Sequence, residues 1–214
     1  MQKSQKGVSP PVIRRLPRYY RFLCGLKKSG ILRISSVEIA RQMGLTASQI
    51  RQDLNCFGGF GQQGYGYNVD QLTSEIEKIL FLDNQIPAIL IGVGNLGRAL
   101  AGYLTYEAKG ISLIGLFDKN PKGILEFNPD FVVLGTSQLE EFCYAHNPKI
   151  AILCIPGENA QSMAERLVNL GIKGFWNFSH VDLRLRDDID VESVHLGDSL
   201  MTLGFHLNSK IEQS

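Results

Sequence analysis

From Pro11 to Lys28 the apolar positions Val12, Leu16, Tyr19, Tyr20, Leu23 and Leu26 recur at spacings of three and four, the period of one helical face. Ser29-Gly30 closes that stretch. Pro17 donates no N–H, so the pattern predicts a break or a first turn at that point. Residues 1–9 are polar and read as a frayed end. Ser35 and Glu38 then stand at capping-box spacing ahead of Ile39, Ala40 and Met43, and Gly44 stops the helix. Thr46-Ala47-Ser48-Gln49 repeats the start signal ahead of Ile50, Leu54 and Phe57. Two short capped helices across a tight glycine turn predict a helix-turn-helix. Between Gly58 and Tyr67 glycines alternate with aromatics, the composition of a hairpin whose turns need φ > 0 and whose aromatics pair across strands. A hairpin directly after the second helix makes a winged helix. Residues 69–82 predict one more amphipathic helix on Leu72, Ile76, Ile79 and Leu80.

Beyond Pro87 the pattern changes. AILIGVG, ISLIGLFD, FVVLG, KIAILCIP and KGFWNF are short runs that are largely apolar, separated by the helical segments NLGRALAGYL, SQLEEFCYAH and NAQSMAERLVNLG. Strands that are apolar on both faces must be covered on both, which predicts a parallel sheet in a doubly wound α/β domain of Rossmann type. DSLMTLGFHLNSKI follows as a helix with Leu200, Leu203, Leu207 and Ile211 in one stripe. It comes after the sheet is complete, so it either packs at home or pairs with another chain. The expected organisation is a winged helix over residues 1–82, a Rossmann domain over 83–194 and a terminal helix over 195–214.

Composition narrows the class. The chain has 214 residues, 44% hydrophobic and 20% charged, which suits a packed core rather than disorder. No apolar run is long enough to span a bilayer, and the first residues carry no signal-peptide core, so a cytoplasmic protein without a membrane partner is the expectation. Cys24, Cys56, Cys143 and Cys154 are scattered, which argues against a disulfide frame or a zinc site. The net charge of +1 conceals a division. Residues 1–80 hold twelve Lys and Arg against five Asp and Glu, hence +7; the remainder holds ten against sixteen, hence −6. A basic unit joined to an acidic one points to two domains with different partners.

Candidate chemistry follows the same division. Gly92-Val93-Gly94-Asn95-Leu96-Gly97 is a GxGxxG motif placed between an apolar strand and a helix, the context in which it cradles a dinucleotide pyrophosphate. Asp118 ends the next strand, where a carboxylate accepts from a ribose 2′-OH and repels a 2′-phosphate; this favours NAD(H) over NADP(H). Lys119 stands beside it. His146, His180, His195 and His206 form no local pair with an acid or a nucleophile, and little chain remains for a substrate domain. The reading is a nucleotide site without a reaction, not an enzyme. In the basic unit Arg14, Arg15, Arg18 and Arg21 follow one helix, while Ser48, Gln49, Arg51, Gln52 and Asn55 lie on the second capped helix, and Gln63 and Tyr65 on the wing. These residue types bond phosphates and base edges, so duplex DNA is the expected partner. Two other readings stay open: an NAD-dependent oxidoreductase with a basic accessory domain, and a DNA-binding protein that senses another nucleotide such as a CoA derivative.

RLPRYYRFL, RISSVEIA, QIRQDLNCFGGFG and GYGYNVD, followed by ILIGVGNLGRAL, LFDKNP, AILCIP and LGIKGFWNFS, resemble in content and order the Rex family of bacterial redox-sensing transcriptional repressors. The resemblance covers nearly the whole chain. It implies a homodimer, with the terminal helix swapped between subunits, that holds an inverted-repeat operator when NADH is low relative to NAD+ and releases it when NADH rises. It implies further that Pro156 lies near the nicotinamide and that Tyr103 takes part in a redox-dependent contact. Arg51 and Arg15 are implied as DNA contacts, and Arg21 as one partner of a switch ion pair. The other partner in the family is an aspartate, and here His195 stands in its place, with Asp198 three residues on. The family also carries Lys where Gln52 stands, Tyr where Cys56 stands, and a basic pair where Gln62 and Gln63 stand. Each lost charge removes a phosphate contact, so a divergent paralogue with weaker or altered DNA binding is a further possibility that the resemblance itself raises.

Overall fold

The computed structural model describes residues 8–62, 65–121 and 132–211. These form two compact units, Met1–Asp83 and Asn84–Ser214.

The first unit is built on α1 (Pro10–Lys28), β1 (Arg33–Ile34), α2 (Ser36–Met43), α3 (Ala47–Asn55), β2 (Gly61–Gln62), β3 (Gly66–Asn68) and α4 (Val69–Ile79). The start signals act as expected. Ser35 and Glu38 form a reciprocal capping box, and Thr46 Oγ1 accepts from the Gln49 N–H at 3.1 Å. Gly44 closes α2 in the left-handed region at φ 67°, which lets the chain reverse into α3 within a few residues. Leu16, Tyr19 and Leu23 of α1 meet Ile39 and Met43 of α2, Ile50 and Leu54 of α3, and Leu72 and Ile76 of α4 in one core.

Two features depart from the sequence expectation. α1 runs straight through Pro17 rather than breaking at it. The hydrogen bond lost there would have gone to the Ile13 carbonyl one turn earlier. Pro17 and Ile13 both lie on the exposed side, where water replaces the missing donor. The wing is also not a lone hairpin. β1 pairs antiparallel with β3, Arg33 opposite Asn68 and Ile34 opposite Tyr67, giving a three-stranded sheet in the order β1-β3-β2. A third strand supplies the stability that an isolated hairpin lacks.

The second unit contains β4 (Ile86–Ile91), α5 (Asn95–Tyr106), β5 (Ile111–Asp118), β6 (Val133–Gly135), a 3-10 turn (Thr136–Gln138), α6 (Leu139–His146), β7 (Ile150–Leu153), α7 (Gly157–Asn169), β8 (Gly174–Asn177), β9 (Asp190–Ser193) and α8 (Leu196–Ile211). The six strands are parallel and lie in the order β6-β5-β4-β7-β8-β9. In chain order this is 3-2-1-4-5-6, the doubly wound arrangement with its switch point between β4 and β7.

The two faces of this sheet are clothed differently. Ile89, Ile91, Leu153 and Phe175 pack with Leu139 and Cys143 of α6 and Ala164 and Leu167 of α7. Ala88, Leu90 and Ile152 pack with Ala101 and Leu104 of α5. Beside α5 this second face stays open as a groove of about 480 Å³, lined by Tyr103, Ile150, Ile152, Trp176 and Val191 among others. α8 buries none of its residues: Leu200, Leu203, Leu207 and Ile211 are all exposed in the single chain.

Candidate nucleotide and nucleic-acid sites

The turn between β4 and α5 uses its three glycines for two different reasons. Gly92 sits at φ 93°, and a Cβ there would lie 2.5 Å from the Cys154 carbonyl oxygen. A Cβ on Gly97 would lie 1.9 Å from the Gly92 carbonyl oxygen, so this glycine lets α5 pack onto the end of β4. Both are demanded by the fold itself. Gly94 is not: its φ is −73°, and a Cβ would meet nothing within 4 Å. The space it leaves bare faces no protein atom. A ligand approaching the backbone would use that space.

The N-terminus of α5 is suited to an anion. Gly94 is its N-cap and supplies no side-chain bond, and the first turn carries no acid. Its first N–H groups and the positive end of the helix dipole are therefore uncompensated. Val93 is buried in the turn, Leu96 is half-buried and Asn95 is exposed.

Asp118 closes the turn from the side. Its Oδ2 accepts from the Val93 N–H and its Oδ1 from the Asn120 N–H, both at 2.8 Å. Two backbone donors fix the carboxylate, and each oxygen retains a lone pair for a ribose diol. Arg98 donates from Nε to the Val93 carbonyl at 3.2 Å and steadies the same turn. Lys119 is exposed next to the acid. Pro156 caps α7 on β7, the strand across the switch point. Cys154, on the same crest, is a half-buried thiol whose pKa desolvation pushes up to about 12.

One residue of this crest escaped sequence reasoning. Asn177, fully buried at the end of β8, donates to the Val181 carbonyl at 2.8 Å and to Ser193 Oγ at 3.1 Å. Its Oδ1 accepts from the Ser179 N–H and hydroxyl. It holds residues 178–182 against α7, where a Cβ on Gly157 would come within 2.7 Å of Val181. A polar residue ending an apolar strand was the signal available. Tyr103 is elsewhere: eight residues along α5, about 12 Å of helix rise from the phosphate turn, it lines the open groove. The chain does not bring it to its own glycine turn.

In the first unit α3 presents Ser48, Arg51, Gln52 and Asn55 to solvent, with Gln49 half-buried. Arg51 donates to Ser36 Oγ at 3.0 Å. Arg14, Arg18 and Arg21 are exposed along α1, and Arg18 also donates to the Met43 carbonyl. Tyr65 is 71% exposed on the wing; Gln63 lies outside the described residues.

Arg15 is placed differently from its neighbours. Its Nε and Nη2 bond the two carboxylate oxygens of Asp53 at 2.6 and 2.7 Å, and Tyr19 Oη donates to the same carboxylate at 2.6 Å. Asp53 is 2% exposed, so α1 grips α3 through a buried carboxylate that accepts three hydrogen bonds. Burial raises the Asp53 pKa, but the Arg15 and Tyr19 bonds outweigh burial and hold it below the ordinary carboxylate value. Burial and the bond to Asp53 together raise the Tyr19 phenol. Nothing in the local pattern around Asp53 announced this, because its partners lie 34 and 38 residues away.

The remaining candidate positions divide between the units. Arg21 belongs to the first. His195 and Asp198 belong to the second, where the Asp198 N–H bonds the His195 carbonyl in the first turn of α8. His195 Nε2 also lies 3.5 Å from Asp182 Oδ1. Among the described residues no cluster of His, Cys, Asp or Glu is arranged to hold a metal, and no helix is long and apolar enough to cross a membrane.

A winged helix followed by a 3-2-1-4-5-6 sheet with a dinucleotide turn defines a nucleotide-linked DNA-binding protein. The family described as putative DNA-binding protein N-terminus matches residues 7–55, and the CoA binding domain family matches residues 83–181. The redox-sensing transcriptional repressor Rex of Caldanaerobacter subterraneus subsp. tengcongensis is 54% identical over 203 residues, 95% of this chain and 91% of that protein. The Rex protein of Thermoanaerobacter pseudethanolicus is 52% identical over 210 residues, 98% of this chain and 93% of that one. Among solved structures, RSP in complex with beta-NAD+ and operator DNA superposes with a TM-score of 0.87 at 52% identity, covering 95% of this chain and 94% of that one. RSP with beta-NADH does so at 0.87 and 48% identity, over 97% of each. The chain belongs to the Rex family of redox-sensing transcriptional repressors.

Proposed function

We propose that this chain is a homodimeric repressor of the cytoplasm. It occupies an inverted-repeat operator when NADH is low and leaves it when NADH binds. The observation that carries the nucleotide half is Gly94, a bare glycine in a turn whose other two glycines are required by packing. Asp118 selects the nucleotide. Its carboxylate is held by two backbone donors and cannot swing aside, so a phosphate on the adenosine ribose meets a fixed negative charge. This disfavours both NADP(H) and CoA, whose riboses are phosphorylated, and favours NAD(H). The CoA binding domain match reflects the shared sheet and turn rather than that ligand.

In the DNA half, α3 enters the groove with Ser48, Arg51, Gln52 and Asn55, and Arg14 and Arg18 of α1 approach the backbone with support from Gln49, Gln63 and Tyr65. Arg15 acts by positioning: its fork is committed to Asp53, so it sets the angle of α3. α8 of each copy lies on its partner, where the open face of the sheet and Tyr103 receive it; the exposed stripe of α8 supports this. Arg21, His195 and Asp198 are the switch positions.

The free-energy logic is linkage and needs no reaction on the cofactor. NADH binds the DNA-incompetent arrangement more tightly, so DNA in turn weakens NADH by the same factor. The test is a titration of operator binding against NADH at fixed NAD+ and fixed salt. Release at rising NADH is expected; binding indifferent to NADH refutes the sensor. Because neutral residues stand at Gln52, Gln62 and Gln63, the salt dependence is expected to be shallower than in relatives that carry Lys or Arg there.

A further inference from the structure

The third strand of the wing creates a cavity that the recognition helix does not share. Arg33 on β1, Gly59, Phe60 and Gly61 ahead of and on β2, Gly66 and Asn68 on β3, and Gln71 in the first turn of α4 enclose about 210 Å³ open to solvent. Two of its lining glycines are packed closely against their neighbours. A Cβ on Gly66 would lie 2.6 Å from the Ile34 carbonyl oxygen, and one on Gly61 2.9 Å from the Tyr67 ring.

The chemistry of the lining is one-sided. Arg33 is exposed, with its guanidinium 6.0 Å from the centroid of the Tyr65 ring and Nη1 donating to the Tyr65 carbonyl at 3.3 Å. One N–H thus fixes the fork, and the ring beneath it restrains the plane. Asn68 Oδ1 accepts from the Gln71 N–H at 2.9 Å, which turns the Asn68 amide so that its NH2 remains to donate. Among the described residues no carboxylate lines the cavity. Asp70, next to Gln71, is paired with Lys27 at 2.9 Å, and Glu38, the nearest acid after β1, is held by Ser35. The cavity also flanks the reading head: Arg51 of α3 bonds Ser36, three residues beyond Arg33, and its charge is felt at Tyr67, between Gly66 and Asn68.

We propose that this cavity seats a backbone phosphodiester of the bound duplex, held by the Arg33 fork with Asn68 and Gln71 as supporting donors. The proposal rests on the DNA-binding reading above and adds to it a phosphate contact outside the recognition helix. A contact of this kind positions the protein without reading sequence.

Two substitutions in the full-length protein test it. Arg33→Ala removes the fork. Gln71→Glu places a carboxylate at the cavity wall, at a position where an acid favours the helix N-terminus, so folding is not impaired. Both are compared with wild type on operator and on scrambled duplex across a salt series, alongside NADH titration and thermal melting. Arg33→Ala is expected to weaken both duplexes by the same several-fold factor and to lower the salt slope by about 0.9. Gln71→Glu is expected to weaken both by about tenfold or more at low salt, with NADH affinity and melting unchanged. If wild type binds duplex and both variants match it, the phosphate seat is overturned while the repressor reading stands. If Arg33→Ala weakens operator alone, Arg33 reads a base and the phosphate assignment falls. If inorganic phosphate protects Arg33 from guanidinium modification but duplex does not, the cavity holds a free anion and not DNA. If wild type binds no duplex, the DNA reading and this proposal fail together.

Discussion

At the scale of single residues, two carboxylates carry unlike duties on one principle. Asp53 and Asp118 are each fixed by two or more donors, yet Asp53 has spent its oxygens on the protein while Asp118 keeps lone pairs outward. Asp53→Asn leaves a partly exposed guanidinium fork facing a buried neutral amide. We expect a loss of about 1–3 kcal/mol from the first unit, read as an earlier chemical-denaturation transition. Because the folded-state pKa of Asp53 is depressed, its stabilisation is fully present above the unfolded carboxylate value, about 4. It is lost as pH falls through the lower folded value. Wild type should therefore lose stability below about pH 4 more steeply than Asp53→Asn, as followed by circular dichroism. Asp118→Ala is expected to fold and to lose about tenfold or more in NADH affinity by calorimetry while narrowing the preference over NADPH. Unchanged NADH affinity in a folded variant would refute the ribose assignment.

At the scale of elements, the β4–α5 turn separates folding from binding. Gly92→Ala forces a side chain to φ 93° against the Cys154 carbonyl, and Gly97→Ala drives α5 off β4. Both should lower the melting temperature of the second unit. Gly94→Ala meets no protein atom. It should therefore melt like wild type and lose NADH binding; retention of both would show that no pyrophosphate approaches there. The elements were largely legible beforehand, since caps, glycine turns and apolar periods act within a few residues. α1 was misjudged at Pro17 because a proline rule counts a lost hydrogen bond without knowing that water stands on that side. β1 was unseen because two residues, Arg33 and Ile34, carry no period; only pairing with β3 makes them a strand.

At the scale of the whole molecule, an exposed stripe on α8 and an open groove beside α5 point to assembly. Replacing Leu203 and Leu207 by Asp should convert a dimer to a folded monomer by light scattering after gel filtration, and should abolish operator binding because two half-sites need two reading heads. A dimer that persists would show that α8 is not the joining element.

The sequence by itself determined the order of the helices and of most strands, the glycine motif with an acid ending the next strand, and the family. Each of these is written in neighbouring residues or in a period. The tertiary structure alone decided how positions far apart spend their bonds. It committed Arg15 to Asp53, 38 residues away, and reserved Gly94 while consuming Gly92 and Gly97. It also left part of one face of the sheet open beside α5, and gathered Arg33, Asn68 and Gln71 around one cavity. The reason is physical. Hydrogen-bond saturation and close approach depend on distances in space, and a single chain does not print those distances along its length.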